Sequence, residues 1–135
     1  MFILPNLFPY FYNYNDEPKQ PEYCEFKSSF TKETQPNVFS ITQWNTLADC
    51  LADSFPKCSD EHLKWSYRNI LHKEHLKQRA NADIICLEEV DHPEFFESIL
   101  SDTHHTFFNK KPEGKDGIFV AVRKSKFNVS ENEAI

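Results

Sequence analysis

The stretch ADIICLEEVD, residues 82–91, runs from apolar side chains straight into carboxylates. Ile84, Ile85, Cys86 and Leu87 have the β-branched and aliphatic character of a buried strand. Glu88 and Glu89 follow without a break, and Asp91 lies just beyond. Packing gives no reason to end a buried strand in negative charge. Such a cluster faces water, pairs with cations or holds a metal. By simple alternation Ile85, Leu87 and Glu89 share one strand face, and Ile84, Cys86 and Glu88 share the other. Glu89 then continues the inward face at the sheet edge.

Upstream, residues 38–44 carry the β-branched and aromatic residues of another strand, bounded by Asn37 and Asn45. A loop is expected through Asp53, Pro56 and Lys57. Ser59 and Asp60 then supply an N-cap and an acidic first turn, and Leu63, Tyr67, Ile70 and Leu71 recur at helical spacing. Lys73, Lys77 and Arg79 crowd the last turns, where positive charge suits the helix dipole. A strand–helix–strand unit makes its two strands parallel, with their C-terminal ends at one edge of the sheet. Ligands of open α/β sheets bind at that edge. Asn45 and Glu89, far apart in sequence, are therefore expected side by side.

Downstream, residues 93–100 read as a short helix. Residues 106–109 and 118–123 read as antiparallel strands joined by KKPEGKDG (110–117). Gly114 and Gly117 both fall in that loop, which suits a hairpin needing positive φ. Residues 127–129 read as the start of another strand. Residues 1–36 hold five of the eight prolines and form an irregular N-terminal extension. The aromatic cluster at 8–14 is a candidate contact for a protein partner; a loosely ordered tail is the plainer reading.

A chain of 135 residues has room for one domain with a real core. At 39% hydrophobic and 27% charged residues its composition is that of a soluble globular protein. The net charge of −6 argues against a general nucleic-acid coat. Residues 1–100 carry 9 Lys/Arg against 16 Asp/Glu, whereas residues 101–135 carry 6 against 5. Polyanion contact is therefore expected in the C-terminal third, around Lys110, Lys111, Lys115, Arg123, Lys124 and Lys126. Cys24, Cys50, Cys58 and Cys86 form no CxxC pair, and Cys86 reads as a small core residue. The N-terminus lacks the basic start of a secretory signal and the length of a membrane span. The expectation is a reduced, cytoplasmic protein with no membrane partner.

A carboxylate at Glu89 beside the amide oxygen of Asn45 is a hard-oxygen environment suited to Mg²⁺. Glu88 and Glu89 as solvated strand-end charges are the alternative, and pattern alone leaves both open. Cys58, His62, His72 and His75 do not meet zinc-ligand spacing. Asp91-His92 reads as a turn opening the next helix, and His104-His105 as a polar loop entering a strand. RKSK (123–126) reads as a solvated strand end with a chance of brushing RNA phosphates.

QWNTLAD (43–49), LKWSYR (63–68), ADIICLEEVDH (82–92) and GKDGIFVAVRKSKF (114–127) together resemble the endonuclease/exonuclease/phosphatase superfamily. Within it they most resemble the nocturnin and carbon-catabolite-repressor deadenylase branch, over roughly residues 38–130. The resemblance implies an α/β fold, the N-terminal half of a DNase-I-like four-layer sandwich, with residues 37–135 as a partial catalytic domain. It implies a place for Asn45 in the metal and phosphate site, Glu89 as the Mg²⁺ ligand and Lys110 as a contact to substrate phosphate. The implied reaction is Mg²⁺-dependent phosphoester hydrolysis, on the 3′ end of poly(A) RNA or on the 2′-phosphate of a nicotinamide dinucleotide. Glu88 departs from the pattern, which usually has glutamine there. The Asp-x-Asn and Ser-Asp-His motifs of the family's later half do not follow Gly117. The rival expectation is a non-catalytic fragment or isoform that binds a partner through its aromatic N-terminal segment or an exposed sheet edge.

Overall fold

The computed structural model describes residues 38–130. The expected N-terminal extension and its aromatic cluster lie outside the described residues. β1 (Ile41–Asn45) and β2 (Ile84–Val90) are parallel neighbours, in register from Ile41 opposite Ile84 to Asn45 opposite Glu88. Between them run the short helices α1 (Asp49–Ala52) and α2 (Asp60–Leu63) and the long α3 (Trp65–Arg79). After β2 come α4 (Pro93–Leu100), β3 (His104–Lys110) and β4 (Gly117–Arg123). β3 and β4 form an antiparallel hairpin whose β4 pairs with β2, giving the sheet order β1-β2-β4-β3. The crossover and the hairpin are as the sequence predicts. β1 starts three residues later than expected, α1 occupies part of the expected loop, and residues 127–129 form no strand.

The core lies between one sheet face and the helices. Ile85 and Leu87 of β2 meet Phe119 and Ala121 of β4, Leu76 of α3, and Phe96 and Leu100 of α4. Phe96 and Phe119 are essentially fully buried, and each such side chain contributes about 1.5–3 kcal/mol by leaving water. The opposite face carries Ile41, Ile84, Cys86, Ile118, Val120 and Val122, and no described element covers it. Cys86 is thus half-buried on that open face and is not a core residue.

Helix α3 presents a different side from the one its aliphatic residues suggest. Ile70 is 62% exposed and Leu71 is 42% exposed, while Arg68, His72 and Leu76 are buried at helical spacing. The cause is local. Lys64 is extended, with ψ 137°, so α2 and α3 are separate helices, and Ser59 stands at the N-cap position of the first without a side-chain capping bond. Trp65 then opens α3 packed against the core, and the turns that follow keep its side inward.

His72 is held among the rings of Trp44, Trp65 and Phe96 at centroid distances of 4.8, 5.6 and 6.0 Å. Burial, helped by the charge of Arg68, pushes its pKa down to about 4 from 6.5. The unfolded chain takes up a proton as pH falls through 6.5, whereas the folded chain resists until about pH 4. Stability contributed by neutral His72 is therefore complete above pH 6.5 and is lost between pH 6.5 and 4. The loss should reach about 3 kcal/mol. Urea denaturation across that range should show this slope in the wild type and a much flatter one in His72→Leu. Parallel slopes would contradict it. His75, also shifted downward by its burial and then by Arg79, adds to the slope in both proteins.

The two ends of the sheet differ in chemistry. At the N-terminal end of β2, Asp83 accepts from the Ser40 N–H (2.9 Å), the Ser40 hydroxyl (3.0 Å), Lys126 Nζ (2.8 Å) and Arg123 Nε (3.2 Å). Burial opposes the charge on Asp83, but Lys126 and Ser40 outweigh it and hold the carboxyl down at about 2. Arg123 and Lys126, read from the sequence as part of a solvated strand end, both bond Asp83, at the end of β2 away from Glu89. His104 is not in a loop either. It begins β3, is buried, and its Nε2 lies 3.0 Å from the Ala82 carbonyl oxygen.

Candidate metal and phosphate site

The other end of the sheet holds Asn45, Glu89 and Lys110. On β2, Leu87 pairs with Phe119 and Val90 with Gly117. Three steps on β2 match two on β4, so one extra residue is accommodated in a β-bulge. Glu89 takes it up with φ 54°. Val90, fully buried like Leu87, occupies the inward place that simple alternation gives to Glu89. Glu89 is released toward β1, where its Oε1 accepts from Asn45 Nδ2 at 2.6 Å. One strand position earlier, Glu88 Oε1 accepts from Gln43 Nε2 at 2.5 Å. Gln43 and Asn45 are alternate residues of β1 and share a face. The bulge thus brings both carboxylates to the same side of the sheet, which an unbroken strand cannot do.

Asn45 is oriented from both ends. Its Oδ1 accepts from the Leu47 N–H at 2.9 Å, so its nitrogen faces Glu89. The two oxygens expected side by side are therefore not adjacent: the amide oxygen accepts from Leu47, and Asn45 turns an N–H group toward Glu89. Glu89 keeps one carboxylate oxygen beyond the Asn45 bond. A single carboxylate with water completing the shell is a normal arrangement for Mg²⁺, which dehydrates reluctantly. The donor chemistry fits a hard divalent cation.

Left-handed backbone at Glu89 and at Leu47 (φ 59°) costs about 1–3 kcal/mol per residue and persists only where neighbours enforce it. Thr46, 4% exposed, supplies the enforcement at the bulge. Its N–H donates to Glu88 O at 2.9 Å, and its hydroxyl lies 3.0 Å from Glu88 O and 3.2 Å from Glu89 O. Neither Thr46 nor Arg68 was singled out on sequence grounds. LKWSYR contains Arg68, but a buried arginine is legible only once the carbonyls around it are placed.

Lys110 ends β3 opposite Gly117, which in turn lies opposite Val90. It is exposed at the same end of the sheet as Glu89, two strand spacings or about 10 Å across, but its register puts it on the face of Val90, whereas Glu89 sits with Asn45 on the other face. Gly117 is required by close approach and not by positive φ, since neither described glycine has one. A Cβ there would sit 2.4 Å from Asn109 O and 2.9 Å from Lys110 Cα.

Asp49, Asp91 and His92 form a second group of metal-type donors, with ligand atoms within 4.8 Å of one another. Its internal bonds are already made. Arg68 Nη2 pairs with Asp49 Oδ1, the Asp49 N–H donates to Asp91 Oδ2 at 2.5 Å, and His92 Nε2 lies 3.2 Å from Asp49 Oδ2. The His92 ring stacks on Trp65 at 4.1 Å. Arg68 already serves as this group's cation.

No family model matches the chain. It is 30% identical to Drosophila melanogaster nocturnin over 103 residues, covering 66% of this chain and 16% of that protein. Identity to human nocturnin is 41% over 83 residues, 57% of this chain and 19% of the relative. Human 2′,5′-phosphodiesterase 12 is 31% identical over 125 residues, 81% of this chain and 20% of the relative. The solved human nocturnin catalytic domain with bound sulfate anion superposes with a TM-score of 0.51 at 29% identity, over 64% of this chain and 33% of that one. The chain spans about a fifth of the length of the curated relatives it matches. This mixed α/β sheet corresponds to part of a DNase-I-like fold, that of the endonuclease/exonuclease/phosphatase superfamily. Within that superfamily the shared part of the chain is related to the nocturnin type.

Proposed function

We propose that this chain supplies the cation- and phosphate-binding edge of a phosphoester hydrolase of the nocturnin and deadenylase type. The observation that carries the reading is the Asn45–Glu89 bond at the paired ends of two parallel strands. Glu89 would hold Mg²⁺ with its carboxylate. Asn45 fixes the carboxylate and offers its remaining N–H to phosphate, and Lys110 neutralises substrate charge across the edge. A divalent cation there would polarise a phosphoryl oxygen toward attack. The substrate is the 3′ end of poly(A) RNA or the 2′-phosphate of a nicotinamide dinucleotide, met in the cytoplasm. Among the described residues no helix is long and apolar enough to cross a membrane. The open apolar sheet face favours a second reading, a binding module that buries this face against a partner.

Cation binding separates the two readings. Titrated with Mn²⁺ and followed by the EPR signal of the free ion, the chain should show one saturable site from which Mg²⁺ displaces Mn²⁺. Glu89→Gln should remove it. A site that survives in Glu89→Gln and disappears in Asp91→Asn would place the cation in the Asp49–Asp91–His92 group. No saturable site in the wild type would favour the binding module.

A further inference from the structure

The Asn45–Glu89 pair does not stand by itself; its geometry is set by the loop that follows β1, residues 46–49. That loop is held from below by one side chain. Arg68, 7% exposed, sits in the first turn of α3 and directs its guanidinium at three backbone carbonyls and one carboxylate. Nε donates to Leu63 O at 2.8 Å, Nη1 donates to Thr46 O at 3.2 Å and also to Leu47 O, and Nη2 pairs with Asp49. The Leu63 bond ties Arg68 to the end of α2, and the other three lie on residues of the loop that follows β1. Thr46 bonds the carbonyls of the Glu88–Glu89 bulge. Leu47 is left-handed, and its N–H holds the Asn45 amide oxygen. Asp49 carries the connection to Asp91 and His92, just past the bulge. The planar fork of an arginine can satisfy these acceptors together, whereas an ammonium is a compact point charge. Buried carbonyls deprived of a donor are costly, so the loop would rearrange without it.

We propose that Arg68 is the positioning residue of this site: through the Thr46 and Leu47 carbonyls it fixes the Asn45 amide, and through Asn45 the rotamer of Glu89. The proposal rests on the cation-binding reading above, but its first test does not. In the wild-type chain the Asn45 side-chain NH₂, identified by its loss in Asn45→Ala, should give a proton signal shifted downfield and slowed in solvent exchange by the Glu89 carboxylate. Arg68→Lys, with charge kept and the fork removed, should return that signal to the position and exchange of a free amide. Mn²⁺ affinity should fall about ten- to a hundredfold, as for residues that orient metal ligands. Thr46→Val tests the same path from the strand side without touching α3. It should produce the same loss of amide protection, even if Arg68→Lys fails to fold.

An Asn45 signal and a Mn²⁺ affinity unchanged in either folded variant would reduce Arg68 to a structural buttress and overturn the proposal. A wild-type chain that binds no Mn²⁺ would defeat the functional reading instead. The amide signal would still decide whether Arg68 sets the geometry of Asn45.

Discussion

Glu89→Gln, placed in a chimera that joins this chain to the downstream sequence of a nocturnin relative, is expected to lower phosphoester hydrolysis by about two to three orders of magnitude. Loss of one group that acts on developing charge costs about that much. The folded structure should survive the change. Glutamine keeps an oxygen able to accept from Asn45 Nδ2, so the bond that closes the strand ends remains. What disappears is the negative charge proposed to hold the cation, so the thermal midpoint should stay within a few degrees while activity collapses. Glu88→Gln makes the opposite case. Gln43 already donates to Glu88 Oε1, and a glutamine oxygen accepts there as well. The substitution introduces the glutamine that the resemblance implies at this place and removes a charge beside the proposed phosphate position. Activity should be equal or higher. Steady-state rates across a Mg²⁺ titration separate the two, and equal losses from both substitutions would defeat the assignment of Glu89.

What the sequence makes legible here is connectivity, and what it hides is register. The apolar runs around Thr42 and Ile85, with a helix between them, were enough to make β1 and β2 parallel neighbours and to bring Asn45 beside Glu89. Local chemistry carried that inference because each segment declares its own period. The bulge was not legible. It exists because β4 offers two residues where β2 offers three, and that mismatch belongs to the pairing and not to either strand. Nor does propensity point to left-handed backbone at Glu89 or Leu47, which glycine or asparagine would adopt more readily. Thr46 and its partner carbonyls override the local preference. Helix α3 misled for a related reason. Its aliphatic residues suggested one face, but the break at Lys64 and the packing of Trp65 turned Arg68 and His72 inward. The value of a buried arginine lies in carbonyls contributed by a distant loop.

Residues 1–135 purified alone are expected to hydrolyse neither poly(A) RNA nor a 2′-phosphorylated dinucleotide at a rate above background. The sheet edge offers two carboxylates, each bonded to a β1 amide, an asparagine whose oxygen accepts from Leu47, and an exposed lysine about 10 Å away. In-line attack on phosphorus also needs a group to orient and deprotonate water, and further donors for the charge that builds on the phosphoryl oxygens. His92 is the nearest basic candidate in sequence, two residues past the bulged strand. Its Nε2 is engaged with Asp49 and its ring lies flat on Trp65, which leaves it ill placed to meet a substrate at Glu89. His72 is buried among aromatic rings, and His104 is tied to Ala82. Groups that act as a unit fail together, so the shortfall should be about three orders of magnitude or more relative to the chimera with a nocturnin relative's downstream sequence. The measurement is product release from both substrates with Mg²⁺ present, and with Glu89→Gln as the control for contaminating nucleases. Robust hydrolysis that this substitution abolishes would show that the chain is a self-sufficient enzyme, and that the missing base and donors come from residues not assigned to the site.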